Sequence, residues 1–206
     1  MLLHIHPEDP QQRNLKTVVD CLKNGGVIIY PTDTIYGLGC DIYNTDAIDR
    51  ICRIKKIDPK KAQFSFVCSD LSHISEYVKS IDTPIFRLLK TALPGPYTFI
   101  LPASKLVPKM LKNKKDTVGI RVPDNKVCQE LIAQLGHPIM SVSLPMDGEV
   151  EYYTDPLVMH EIFEDKVDIV IDSGIGHTTP STVIDCTSGT PELIREGAGE
   201  WEALIG

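Results

Sequence analysis

A hydroxyl-rich turn after the first apolar run concentrates side chains able to do chemistry. Residues 25–41 read Gly-Gly-Val-Ile-Ile-Tyr-Pro-Thr-Asp-Thr-Ile-Tyr-Gly-Leu-Gly-Cys-Asp. Val27, Ile28, Ile29 and Tyr30 are β-branched or aromatic and follow a glycine pair, which predicts a buried strand. Pro31 ends its ladder because proline has no N–H to donate. Thr32, Asp33, Thr34 and Tyr36 come next, then Gly37 and Gly39. Small hydroxyls at a strand's carboxyl end, beside glycines that let backbone approach a ligand, suit a small polar or phosphorylated molecule. A tight turn between two strands accounts for the same residues with no ligand at all.

Three further places offer donors or cations. Ser141 and Ser143 recur at period two on a predicted strand over 139–143, so they share one face, toward a ligand or toward solvent. Arg121 stands between Ile120 and Val122 on a predicted strand over 117–122; its guanidinium can fork onto a carboxylate or close a structural ion pair. Lys55 ends a predicted helix within the cluster Arg50, Arg53, Lys55, Lys56, Lys60 and Lys61, where a solvated face is the ordinary explanation. There is no G-x-x-x-x-G-K-[ST] loop, and Gly37-x-Gly39 lacks the third glycine of a dinucleotide fingerprint. Any ATP site here must use scattered hydroxyls, backbone N–H groups and cations.

The stretch 25–41 resembles the opening signature of the YrdC/YciO family, which includes synthases making threonylcarbamoyl-adenylate, the donor for threonylcarbamoyl modification of tRNA. Thr117-Val118-Gly119-Ile120-Arg121-Val122-Pro123, Ser141-x-Ser143, Ser181-Thr182-Val183-Ile184-Asp185, Arg195-Glu196-Gly197 and Pro94-Gly95-Pro96-Tyr97-Thr98 are similar to later family elements, so the match runs from about 15 to 197. The resemblance implies a single α/β (α+β-like) domain over 1–206: a twisted open sheet of mixed parallel and antiparallel strands, flanked by helices, with a concave cleft. It implies that Thr32, Thr34, Tyr36 and Arg121 hold threonine and that Lys55, Ser141, Ser143, Ser181 and Arg195 hold nucleotide. Lys55 and Arg121 take the catalytic roles. The implied partners are ATP, L-threonine, bicarbonate, and tRNA or double-stranded RNA, with Mg²⁺ on the pyrophosphate and no metal ligand from protein side chains. Asp185 is expected to anchor its loop, and the 94–98 turn to be architectural.

Two departures fall in that site. The family's Lys-x-Arg-Pro puts arginine where this chain has Ile57, and an aliphatic chain cannot stand in for a bidentate guanidinium. The family's Ser-x-Ser-Ala-Asn is replaced by Ser143-Leu144-Pro145, removing an amide. The first points to the YciO branch, and Lys56 or Lys60 are the candidates to compensate. The leading hypothesis is a threonylcarbamoyl-adenylate synthase-like enzyme. The alternatives are a tRNA- or duplex-RNA-binding protein of the YciO type with weak or no synthase activity, and a regulatory nucleotide-binding protein.

Bulk properties bound these hypotheses. The chain has 206 residues, 42% apolar and 24% charged, ordinary values for a soluble globular protein. Residues 1–143 carry 19 Lys and Arg against 14 Asp and Glu, while 144–206 carry 2 against 14, giving the net charge of −7. The basic part leaves nucleic acid open although the total does not favour it. Two basic segments, 50–61 and 105–115, hold 11 of the 21 Lys and Arg. Six cysteines without a C-x-x-C pair look like core fillers in a reducing compartment. His160-Glu161 begins an H-E-x-x-H echo, but position 164 is Glu, so the metal spacing fails. No run approaches the roughly 20 apolar residues of a membrane span, and 1–10 lacks a signal-peptide pattern, so a cytoplasmic location is expected.

Helices interleave with short strands along the chain, favouring a mixed α/β sheet. Asp9-Pro10 predicts a helix start, with Leu15, Val18, Val19 and Leu22 on one stripe and Gly25 closing it. Asn44 or Thr45, Asp70, Thr83-Pro84 and Asp155-Pro156 predict further helix starts, and Gly136 a stop. Residues 144–154 form an irregular stretch of the length of a functional loop or lid.

Overall fold

The computed structural model describes residues 1–58, 64–111, 115–144 and 152–205. In chain order it contains β1 (Leu2–His4), α1 (Gln12–Lys23), β2 (Val27–Tyr30), β3 (Gly37–Asp41), α2 (Thr45–Lys55), β4 (Ser65–Val67), α3 (Leu71–Tyr77), α4 (Thr83–Ala92) and β5 (Tyr97–Pro102). These are followed by β6 (Thr117–Arg121), α5 (Lys126–Leu135), β7 (Ile139–Ser143), α6 (Pro156–Phe163), β8 (Ile169–Asp172), β9 (Thr182–Asp185), β10 (Glu192–Arg195) and α7 (Trp201–Ile205). The strands make one mixed sheet in the order β1-β8-β2-β3-β7-β4-β6-β5-β9-β10. Neighbours β1/β8, β2/β8, β4/β6 and β5/β9 are parallel; β2/β3, β3/β7, β4/β7, β5/β6 and β9/β10 are antiparallel. This is the expected α/β architecture of a mixed sheet flanked by helices.

Strand alternation gives the sheet two different faces. One carries Ile29, Leu38, Met140, Phe66, Ile120 and Phe99 and packs against Ile48, Ile51, Ile74, Leu89 and Met159 of α2, α3, α4 and α6. The other carries Ile28, Tyr30, Ile139, Val67, Ile169 and Ile171 and packs against Leu15, Val18 and Leu22 of α1 and Val127, Leu131 and Leu135 of α5. Those two helices lie over the strands near β2. The same face of β4, β6, β5 and β9 presents Ser65, Gly119, Thr98, Ile100, Val183 and Asp185 to a cleft instead.

Local signals placed most elements. Asn44, Asp70, Asn125 and Asp155 accept from the N–H groups of Ala47, His73, Cys128 and Leu157 at helix starts. Gly136 closes α5 at φ 85°. Two starts differ from the sequence expectation. α1 begins at Gln12, not after Asp9, because the His6 ring accepts from the N–H groups of Glu8 and Asp9 at 3.2 and 3.0 Å and holds that segment in a turn. α4 is preceded by Asp82 rather than capped by Thr83, with Pro84 in its first turn. β1 and α7, of 3 and 5 residues, are too short to announce themselves in the sequence. Residues 37–41 form the buried strand β3, paired with β2 through Tyr30↔Gly37 and Val27↔Cys40, and of its glycines Gly37 borders the cleft. Among the described residues no helix is long and apolar enough to cross a membrane.

At the end of β3 away from the cleft, His137 Nε2 lies 3.4 Å from Asp41 Oδ2 and its ring meets Tyr43 edge-on. Burial acts to lower the His137 pKa, but the hydrogen bond and charge of Asp41, with help from the Pro138 carbonyl, carry it upward overall. The stability from this pair is therefore fully present below the unfolded-state value of about 6.5 and lost as pH rises through the higher folded value. The melting-temperature advantage of the unaltered chain over His137→Gln is expected to be larger at pH 6 than at pH 9. An advantage that grows with pH would contradict the pairing.

Candidate functional site

The cleft has a volume of about 680 Å³, within the range of small-molecule sites. Of the nine residues singled out from the sequence, seven line it: Tyr36, Lys55, Arg121, Ser141, Ser143, Ser181 and Arg195. They come from segments far apart in the chain, so only the tertiary fold brings them together. Among the lining residues Lys55, Lys115, Arg121 and Arg195 are cationic and only Asp185 is anionic, which favours an anionic ligand.

Thr32 and Thr34 reach the site through Arg121. The Arg121 Nη2 donates to Thr34 Oγ1 at 2.6 Å and to Thr32 Oγ1 at 3.3 Å, and it also pairs with Asp33. Thr32 Oγ1 further donates to the Ile35 carbonyl and accepts from Thr34 N–H, so it organises the turn. Neither threonine is among the lining residues; both stand behind the guanidinium rather than at the surface of the cleft. Arg121 is thus a structural ion-pair partner and a cleft residue at once. Its Nε is buried and makes no hydrogen bond, leaving donor capacity that the turn does not use.

Lys55 ends α2 with its Nζ 3.3 Å from Ser143 Oγ and 3.0 Å from the Leu144 carbonyl. Burial lowers its pKa from the ordinary lysine value. On the far wall, Arg195 donates through Nη2 to the Ser181 carbonyl at 2.7 Å, and Ser181 Oγ lies 2.8 Å from Thr98 Oγ1. Tyr36 donates to the Gly174 carbonyl at 2.8 Å, and burial pushes its phenol up to about 12. Asp185 accepts from the Thr187 N–H and hydroxyl, the loop anchor expected of it.

The departures also have a place. Ile57 is half-buried, packs against the core and lines the cleft two residues beyond Lys55. Lys56 is exposed, ends the helix at φ 54° and is not among the lining residues, so it does not replace the missing guanidinium. Lys60, Lys61, Lys112, Lys114 and Pro145 lie outside the described residues, as does most of the 144–154 stretch, although Tyr152 lines the cleft. The first basic segment is not one surface: Arg50 pairs with Asp168 at 2.6 Å while Lys55 turns into the cleft. Sequence reasoning missed Asp33, Thr98 and Lys115 as site residues. Asp33 stood inside the matched signature, and its partner could only come from the fold.

The Sua5/YciO/YrdC family model, described as "Telomere recombination", matches residues 20–197. The chain belongs to this family. It is 43% identical over 203 residues to YciO of Escherichia coli strain K12, an uncharacterized protein, covering 98% of each chain. It is 31% identical over 188 residues to a threonylcarbamoyl-AMP synthase of Coxiella burnetii strain RSA 493, covering 91% of this chain and 99% of that one. Among solved structures it superposes on E. coli YciO with a TM-score of 0.91 at 42% identity, covering 97% of each chain. It also matches Sua5 of P. abyssi complexed with L-threonine, with a TM-score of 0.91 at 27% identity, covering all of this chain and 61% of that one. The family thus contains named synthases, and E. coli YciO at 43% identity is more similar to this chain than the C. burnetii synthase at 31%.

Proposed function

We propose that the chain is a threonylcarbamoyl-adenylate synthase-like enzyme that uses ATP, L-threonine and bicarbonate. The observation that carries this reading is the convergence of Lys55, Arg121, Arg195 and the hydroxyls of Ser141, Ser143 and Ser181 on one cleft. Similarity to a synthase and to a threonine-bound Sua5 supports it.

The threonine amine forms an N–C bond with bicarbonate-derived carbon, releasing water and giving a carbamate. A carbamate oxygen then forms a bond to the α-phosphorus as the α–β bridge breaks, and pyrophosphate leaves with the bond's electron pair. Such a displacement needs no side-chain nucleophile; positioning and charge stabilisation supply the rate. Arg121, braced by Asp33, Thr32 and Thr34, receives the threonine carboxylate beside Tyr36. Lys55, Ser141, Ser143, Ser181 and Arg195 hold the nucleotide. Mg²⁺ would be carried in by ATP and would supply neutralisation of the pyrophosphate charge, while Lys55 and Arg195 hold the nucleotide from the protein side. Six unbridged cysteines fit the reducing, ATP-containing cytoplasm expected from the sequence. The adenylate would serve tRNA modification.

Mass spectrometry of products after incubation with ATP, Mg²⁺, threonine and bicarbonate tests this directly. Threonylcarbamoyl-adenylate is expected, with pyrophosphate release that requires both threonine and bicarbonate. Tight ATP binding with no product at any protein concentration would replace the enzymatic reading with a nucleotide-binding one. Salt-sensitive binding of duplex RNA or tRNA without product would favour the RNA-binding alternative.

A further inference from the structure

We propose that Tyr30 is a positioning residue which, with Lys55, turns the two β7 serines into paired hydrogen-bond donors for an anionic oxygen in the cleft. The proposal rests on the reading that this cleft holds nucleotide phosphate.

Tyr30 is the last residue of β2, and its side chain is completely buried. β2 and β7 are not neighbours, because β3 lies between them. The Tyr30 ring crosses β3 where that strand has no side chains. A Cβ on Gly37 would come within 3.0 Å of the ring, and one on Gly39 within 2.8 Å. Gly37 pairs with Tyr30 on one side and Gly39 pairs with Ser141 on the other, so the two glycines form a slot joining them. At its far end the Tyr30 hydroxyl lies 2.7 Å from Ser141 Oγ and donates to it. The glycines of the signature thus admit a tyrosine ring, although Gly37 also borders the cleft.

The direction of that hydrogen bond decides what Ser141 can do. A phenol is a stronger donor than an aliphatic hydroxyl, and burial drives the Tyr30 pKa further up, so the phenol keeps its proton. Ser141 therefore accepts from Tyr30 and retains its own O–H, and it lines the cleft while only 9% exposed. Two residues along the same face, Ser143 accepts from the Lys55 ammonium, which has no acceptor capacity. Both serines thus have a lone pair taken from behind, Ser141's by the Tyr30 phenol and Ser143's by the Lys55 ammonium, and a proton to offer forward. Chained hydrogen bonds of this kind polarise one another, strengthening the forward donor.

Calorimetric titration with Mg²⁺-ATP of the unaltered chain, Tyr30→Phe, Ser141→Ala and the double variant tests this, with melting curves recorded alongside. Tyr30→Phe keeps the ring in its slot and removes one oxygen. It is expected to weaken ATP binding by roughly five- to tenfold, the effect of one hydrogen bond. In the Ser141→Ala background the same change should alter affinity less than twofold, because its only route to the ligand is gone. A Tyr30→Phe protein that melts lower but binds ATP as before overturns the proposal, as does a loss that simply adds to that of Ser141→Ala. No ATP binding by the unaltered chain overturns both this inference and the nucleotide reading beneath it.

Discussion

Replacing Arg121 by alanine is expected to cost about 3–5 kcal/mol of folding stability, the effect of removing one partner from a buried ion pair. Arg121 and Asp33 leave only 10% and 9% of their side chains exposed, so solvent cannot compensate the carboxylate left behind. Thr32 and Thr34 lose their shared donor in the same step, and the turn between β2 and β3 loses its tie to β6. Urea unfolding at pH 7 reads the change directly, and a loss below about 1 kcal/mol, the scale of an exposed pair, would contradict the burial argument. Adding Asp33→Asn to Arg121→Ala should recover part of the loss, because the uncompensated charge is removed. Binding of threonine should vanish in both variants. Recovery of stability without recovery of binding would separate the brace from the ligand contact.

The second large effect is a gain. Ile57→Arg is expected to raise threonine-dependent pyrophosphate release by on the order of 10²-fold, the scale set by single preorganised donors at developing charge. Ile57 already lines the cleft beside Lys55, so a guanidinium there needs no new backbone path. Its forked donors can engage phosphate oxygens in a way the single ammonium of Lys55 cannot. The cost is the apolar contact that the half-buried Ile57 makes with the core, roughly 1 kcal/mol. Melting temperature should therefore fall slightly while the rate rises. An unchanged rate in a folded Ile57→Arg protein that still binds ATP would show that the missing arginine is not what limits turnover.

Both experiments turn on residues that differ in how legible they were. Ile57 could be read by alignment with a signature alone, since a guanidinium is either present or absent at that spacing. The double role of Arg121 could not. Its sequence neighbours Ile120 and Val122 say that it sits on a strand, and period two says which face it shares with Gly119. Neither says that a carboxylate 88 residues away will meet it. The same holds for Lys55, whose place at the end of a helix is legible but whose reach to Ser143 and Leu144 depends on how α2 lies against the sheet. The first basic segment was misleading for a related reason: adjacency in sequence made it look like a surface, while Asp168 draws Arg50 away from Lys55.

Local chemistry was sufficient wherever the cause is short-ranged. Caps at Asn44, Asp70 and Asp155, the stop at Gly136, and apolar runs such as 27–30 and 139–143 announce their elements because backbone satisfaction and alternation act within a few residues. Strand order lay beyond that range, and strand order makes the site. Gly37 and Gly39 read as loop residues in the sequence, but β3 lies between β2 and β7, where glycine leaves the room a tyrosine ring needs to reach Ser141. The residue types of a cationic, hydroxyl-rich cleft were already present in the order of amino acids. Their convergence was decided by a mixed sheet whose second face α1 and α5 cover only in part, because a side chain's partners across strands depend on register and layering rather than on its neighbours in the chain.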